Sequence, residues 1–147
     1  MRIREFSERD IDEITSLMVN FCTIKDQEFD EQRWRASLTE RLKENSESEV
    51  IVAFDETTNS VLGMSNCSVR NSDKGYRFGY ISNLIVKEEK RRTGIGEEII
   101  RHIIEYFKTR HIHSIRLALN SNVEGAAKIL FTKLGFEEIL RIYELKI

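Results

Sequence analysis

The sequence predicts one α/β domain built on a mixed sheet, and three observations carry that reading. Residues 50–86 read as three strands joined by two short turns, a meander. At Ile95 the apolar spacing changes from strand-like to helical, and at 114–120 it returns to a strand, which marks a β-α-β unit. The chain has 147 residues with no linker, low-complexity tract or internal repeat, a length that suits one core spanning 1–147.

The elements follow in order. "RIREF" (2–6) alternates as a short strand, and Ser7 then caps a helix with Asp10 three residues on, in a capping-box arrangement. Ile11, Ile14, Leu17, Met18 and Phe21 form the apolar stripe of that helix. A second, highly charged helix is predicted over 30–45, with Trp34, Leu38 and Leu42 on one side. "VIVAFDE", "VLGMSNCSVR" and "YRFGYISNLIV" are the three meander strands, separated by "TTNS" and "NSDKG". Ile95, Ile99, Ile100, Ile103, Ile104 and Phe107 recur at helical spacing. "SIRLALN" (114–120) is a strand, and 124–134 a helix with Ala127, Leu130, Phe131 and Leu134 inward, ended by Gly135. "FEEILRIYELKI" is expected to supply two short final strands or one bent one. The predicted order is β-α-α-β-β-β-α-β-α-β-β, with strand 76–86, helix 95–110 and strand 114–120 forming a right-handed crossover.

Composition narrows the function classes. Hydrophobic residues make up 40% and charged residues 33%, the balance of a folded soluble domain. A net charge of -2 argues against a protein that coats nucleic acid, which needs a basic face. Cys22 and Cys67 stand far apart without ligand-spaced neighbours, so no metal site is expected. There is no apolar run of spanning length, and "MRIREFSERD" lacks a signal-peptide core, so no membrane association and a cytoplasmic location are expected.

"KEEKRRTGIGEEII" (87–100) sets positive charge and two glycines against the start of a helix. A helix N-terminus leaves N–H groups unpaired at the positive end of its dipole. Gly94 and Gly96 are expected to allow positive φ and close approach to the backbone, with Lys87, Lys90, Arg91 and Arg92 adding charge for an anion. Neither a P-loop nor a dinucleotide fingerprint fits: no Gly-Lys-Ser/Thr occurs, and position 99 is Ile where a third glycine would stand.

Arg91, Gly94 and Gly96 fill the fixed positions of [QR]-x-x-G-x-[GA], and the segment resembles the acetyl-CoA-binding motif of the GNAT-type N-acetyltransferase superfamily. "NLIV" before it and "AAKILFTKLGF" after it are similar to two further signatures of that family. The resemblance implies a central β-α-β unit that binds acetyl-CoA. It implies that the strand splays from its neighbour after Val86, that Leu84, Ile85 and Val86 pair with the pantetheine arm, and that the Leu84 N–H polarises the thioester. It implies that residues 91–97 (Arg91, Arg92, Thr93, Gly94, Ile95, Gly96, Glu97) hold the pyrophosphate, with Asn122 and Phe131 also beside the cofactor.

The sequence departs from the family where catalysis would need an acid and a base. The positions of the family's carboxylates hold Tyr80, Ser82 and Ala118, and that of its proton-donating tyrosine holds Phe131. Tyr80 or Ser82 is therefore expected to hold a proton-carrying water, and Tyr143 stands as a substitute acid. The implied activity is direct transfer of acetyl from acetyl-CoA to a primary amine, by a monomer or homodimer. The alternative is a sensor domain that binds acyl-CoA with little or no catalysis. The acidic stretch with Asp26, Glu28, Asp30 and Glu31 suggests a cationic acceptor.

Overall fold

The computed structural model describes residues 1–43, 46–119 and 125–147. The chain runs through β1 (Arg2–Glu5), α1 (Ile11–Ile24), α2 (Glu31–Arg41), β2 (Ser48–Asp55), β3 (Ser60–Asn71), β4 (Arg77–Val86), α3 (Ile95–Thr109), β5 (Ile115–Leu117) and α4 (Gly125–Lys133). The strands form one sheet in the order β1-β2-β3-β4-β5, with β5 parallel to β4 and every other pair antiparallel.

Each face of the sheet carries its own core. On one side, α1 and α2 bring Ile14, Leu17, Met18, Trp34 and Leu38 against Val50, Val52, Met64 and Ile85. On the other, Ile95, Ile99, Ile100, Ile103 and Phe107 of α3 cover Ile51, Ala53, Cys67 and Ile81. Gly79 makes that second contact possible, because a Cβ there would stand 2.6 Å from the Phe107 ring. Arg4 and Asp10 tie the first strand to the start of α1: Nη1 and Nη2 reach the two carboxylate oxygens at 2.6 and 3.0 Å. The Ser7 N–H donates to the same carboxylate at 2.7 Å, one half of the capping box expected from the sequence.

Two expectations are corrected. The strand at 114–120 is only three residues long, Ile115–Leu117. Residues 137–147 form no strand and join none of the five in the sheet; Ile139, Leu140, Ile142, Tyr143, Leu145 and Ile147 are 70–119% exposed. Alternation alone cannot make a strand, because backbone pairing needs a neighbour within reach. Leu42 is also exposed, lying one residue past the end of α2. Among the described residues, no helix is long and apolar enough to cross a membrane.

Candidate active site

A bulge in β4 shapes the site. Met64 pairs with Ile85 but Asn66 pairs with Ser82, so the single residue Ser65 faces both Asn83 and Leu84. Asn83 takes up the extra residue with a left-handed φ of 52°, which asparagine tolerates better than most side chains. The Ser65 hydroxyl, fully buried, donates to the Ser82 carbonyl at 3.1 Å and pins the irregularity. The bulge reverses the alternation of β4. Ile81 packs in the α3-side core and Ile85, four residues on, packs in the α1/α2-side core.

Beside the bulge, β4 loses its other neighbour. Its pairing with β5 covers Gly79, Tyr80 and Ile81, and stops at Ile81–Leu117. The splay therefore begins before Ser82, not after Val86 as the sequence led us to expect. The shortness of β5 is the reason. The Lys87 N–H donates to the Leu62 carbonyl at 2.9 Å, so Ile85 and Lys87 turn their backbone groups towards β3. Leu84 and Val86 consequently turn theirs to the free edge. Ile85 itself is 6% exposed, with its backbone committed to β3.

This free edge runs into the glycine turn. Gly94 has φ +86°, and a Cβ built there meets nothing within 4 Å, so open space lies beside it. Arg92 also has a positive φ, 63°. Gly96 does not: it is helical, and a Cβ there would make only ordinary 3.8 Å contacts with Leu84 and Val86. The Arg91 N–H is bonded to the Glu88 carbonyl (3.3 Å), and the first bond of α3 runs from the Glu98 N–H to the Gly94 carbonyl (3.1 Å). Among the described residues, the six N–H groups from Arg92 to Glu97 find no backbone acceptor. The Arg91 guanidinium folds back, its Nε donating to the Val86 carbonyl at 3.3 Å. Glu97 receives Lys133 of α4 at 2.8 Å and Arg101 at 3.0 Å, and those hydrogen bonds hold its pKa below the ordinary carboxylate value.

A groove of about 820 Å³ opens between α1 and this edge, bounded by Ser16, Asn20 and Phe21 on the helix and by Leu84–Lys87 on the strand. Glu13 forms its inner rim, accepting the Val61 N–H at 2.8 Å.

The profile of the Acetyltransferase (GNAT) family matches residues 11–136, most of the chain. The chain belongs to the GNAT acetyltransferase family. A curated relative, the chloroplastic GCN5-related N-acetyltransferase 6 of Arabidopsis thaliana, is 31% identical over 71 residues, which is 48% of this chain and 24% of the relative. The chain thus spans about a quarter of that relative's length. Among solved structures, a probable acetyltransferase superposes with a TM-score of 0.82 at 23% identity, covering 100% of this chain and 98% of the other. A predicted acetyltransferase with acetyl-CoA from Clostridium acetobutylicum superposes with a TM-score of 0.78 at 19% identity, over 99% and 95% of the two chains. These likenesses concern the fold.

The remaining candidates of this GNAT domain fall in different places. Tyr80 and Ser82 pair with Ser68 and Asn66, on the sheet face where Arg41 of α2 reaches the Asn66 Oδ1 at 2.7 Å. The Arg70 guanidinium lies over the Tyr80 ring, 3.8 Å from its centre. Phe131 is buried, edge-on to Phe136 with ring centres 5.5 Å apart. Tyr143 is 87% exposed on the segment that leaves the body. Asn122 lies outside the described residues. Among the described residues, no group of three His, Cys, Asp or Glu is placed to hold a metal ion. Cys67 is buried, and desolvation pushes its thiol up to about 12. The features invisible in the sequence were the bulge at Asn83 and the early end of β5; the asparagine that interrupts the strand between Ser82 and Leu84 was the local sign of the first.

Proposed function

We propose that this GNAT domain is an N-acetyltransferase that moves acetyl from acetyl-CoA directly to a primary amine. One observation carries the reading: a strand edge left open at Leu84 and Val86 leads into six consecutive backbone N–H groups with no backbone acceptor among the described residues. A diphosphate suits that turn, because unpaired N–H groups and the positive end of the α3 dipole both favour an anion. An extended amide chain suits the open edge, since it can pair as an added strand. Those residues fit coenzyme A.

In this reading, Arg92, Thr93, Gly94, Ile95, Gly96 and Glu97 supply the pyrophosphate cradle, with Arg91 beside it. Leu84 and Val86 supply the pairing groups. The Leu84 N–H stands at the bulge and stabilises the oxygen of the thioester carbonyl as charge develops there. The amine forms the new C–N bond, the C–S bond breaks, and the amine proton leaves to solvent. Tyr80 and Ser82, on the α2 side of β4, order the water that carries it. Direct transfer is favoured over an acetyl-cysteine relay, because a buried thiol held near 12 is not a thiolate at neutral pH.

A second reading, a sensor domain that binds acyl-CoA, is favoured by one observation. Phe131 carries no hydroxyl, and the substitute Tyr143 stands out in solvent. Thiol release from acetyl-CoA with a panel of primary amines separates the two, with mass spectrometry of the product and of the protein. Turnover giving an N-acetyl product and no acetylated protein is the expected result. Coenzyme A binding without turnover on any amine would favour the sensor.

A further inference from the structure

We propose that the acceptor amine also carries a carboxylate, held by Arg41 on the α2 side of β4 in a field made by Arg70 and Arg116; the inference rests on the acetyltransferase reading of this site. The sheet register brings these groups together. Asn66, Ser68 and Arg70 of β3 alternate with Cys67 and Val69, which pack towards α3, and so turn to the opposite face. Tyr80 and Ser82 of β4 pair with Ser68 and Asn66 on that face. Arg116 of β5 pairs with Tyr80 and alternates with Ile115 and Leu117 of the α3-side core. Arg41 reaches the same face from α2 through its bond to Asn66.

Each of the three guanidiniums is laid on an aromatic ring. Arg41 stands 5.7 Å from the centre of Trp34, Arg70 3.8 Å from that of Tyr80, and Arg116 4.3 Å from that of Phe78. Stacking of this kind fixes the planar fork without using its N–H groups. Among the described residues none of the three forms an ion pair with an acid. Arg41 there uses Nη1 alone, on the Asn66 Oδ1 at 2.7 Å. The Nε of Arg116 and the Nε1 of Trp34, the ring beneath Arg41, are buried with no acceptor among the described residues. A face of donors without acceptors calls for a ligand that only accepts. An ionised carboxylate is such a group, and a guanidinium fork matches it with two parallel bonds.

The spacing sets the ligand's length. Ser82, opposite Asn66 and so level with Arg41, precedes Leu84 by two residues, roughly 6–7 Å along a strand. The carboxylate therefore lies about that far from the reacting nitrogen, the span of a short ω-amino acid. Arg70 and Arg116, further down the face at Tyr80, add positive potential that draws an acid in. The acids that α1 brings to the groove are already engaged. Asp12 receives Arg35 at 2.7 Å, and Glu13 accepts the Val61 N–H at 2.8 Å.

The test compares three primary amines of one length as acceptors for acetyl-CoA: δ-aminovalerate, its amide, and cadaverine. The expected kcat/KM is at least tenfold higher for the acid than for the amide, with cadaverine the poorest. Arg41→Gln should raise the KM for the acid at least tenfold and erase its advantage over the amide. If that variant does not fold, Arg70→Gln with Arg116→Gln should cut the advantage at least threefold. The amide or cadaverine as the best acceptor overturns the proposal and leaves acetyl transfer standing. So does an acid preference that survives Arg41→Gln, or the double variant in its place. If none of the three is acetylated, calorimetry of δ-aminovalerate on protein saturated with coenzyme A decides. Binding weakened at least tenfold by Arg41→Gln, or at least threefold by the double variant, supports the proposal; no binding, or binding that the variant leaves unchanged, overturns it.

Discussion

Ile81 of β4 pairs with Leu117 of β5, and beyond that pair the two parallel strands part. Two residues later the bulge at Asn83 turns β4 inside out. The two irregularities together place the backbone groups of Leu84 and Val86 at an open edge, directly upstream of a turn whose N–H groups have no backbone acceptor among the described residues. Neither would suffice alone. A regular β4 would offer Ile85 in place of its neighbours, and a longer β5 would cover the edge.

Gly94 and Gly96 should separate stability from ligand binding. Gly94 has φ +86°, so Gly94→Ala should cost about 1–2 kcal/mol of stability. Gly96 is helical with room for a Cβ, so Gly96→Ala should be neutral or stabilising by up to about 1 kcal/mol. Coenzyme A affinity should fall in both, and most in Gly94→Asp, which adds a like charge at the cradle. Urea melts and calorimetry on the same preparations check this. Unchanged coenzyme A affinity in a folded Gly94→Asp variant would remove the cradle.

Gly79→Ala should destabilise the protein by about 1–3 kcal/mol, because its Cβ would overlap the fully buried Phe107 ring at 2.6 Å. Pairing it with Phe107→Leu should recover part of the loss. The measurement is a double-mutant cycle on unfolding free energies, and strict additivity would contradict the contact.

The Arg4–Asp10 pair should dominate acid sensitivity of the first helix. Burial raises the Asp10 pKa, but the Arg4 hydrogen bonds, the Ser7 N–H and the Arg4 charge outweigh it, and the net direction is down. A lowered folded-state pKa contributes stability that is present above the unfolded value, near 3.9, and is lost as pH falls through the folded value. Asp10→Ala should cost about 2–4 kcal/mol at neutral pH, since it also leaves Arg4 without its partner. Its deficit relative to wild type should shrink in acid. A deficit constant from pH 7 to 2 would contradict the pairing.

Glu49 should act in the opposite sense. Burial raises its carboxyl to about 7, only partly offset by the Val50 N–H at 3.1 Å. The folded protein then holds a proton that the unfolded chain releases above about 4.3, so stability declines between that pH and about 7 and is level beyond. Glu49→Gln should match wild type near pH 4 and exceed it by about 1–2 kcal/mol above pH 7, a value reduced for partial solvent screening. Denaturant midpoints for both proteins across that range supply the check. A Gln variant no more stable than wild type at pH 8 would place the carboxylate in water.

Much of the site's outline was legible in the sequence. Arginines and glycines against a helix start, after an apolar strand, mark a turn that can hold an anion because those preferences are local. The α1 stripe and α3 spacing were equally legible, since a helix face is set by residues three and four apart. Two acids of the stretch at 26–31 have partners on their own helix. Asp30 accepts the Arg33 N–H at the start of α2, and Glu31 pairs with Arg35. Those partners lie on the same helix, but whether an acid is engaged or free depends on side-chain placement.

Sequence alone determined the order of elements through residue 134, the two helical faces and the glycine turn at the start of α3, because each rests on contacts between near neighbours. Tertiary structure decided where β4 loses its partner, which of Leu84, Ile85 and Val86 faces the opening, and that 137–147 stays off the sheet of its own chain. Those outcomes depend on strand register across Met64–Ile85 and on the length of β5, set by pairing between residues distant in sequence. A one-residue bulge is enough to exchange the two faces of a strand, and no local pattern records which face will be free.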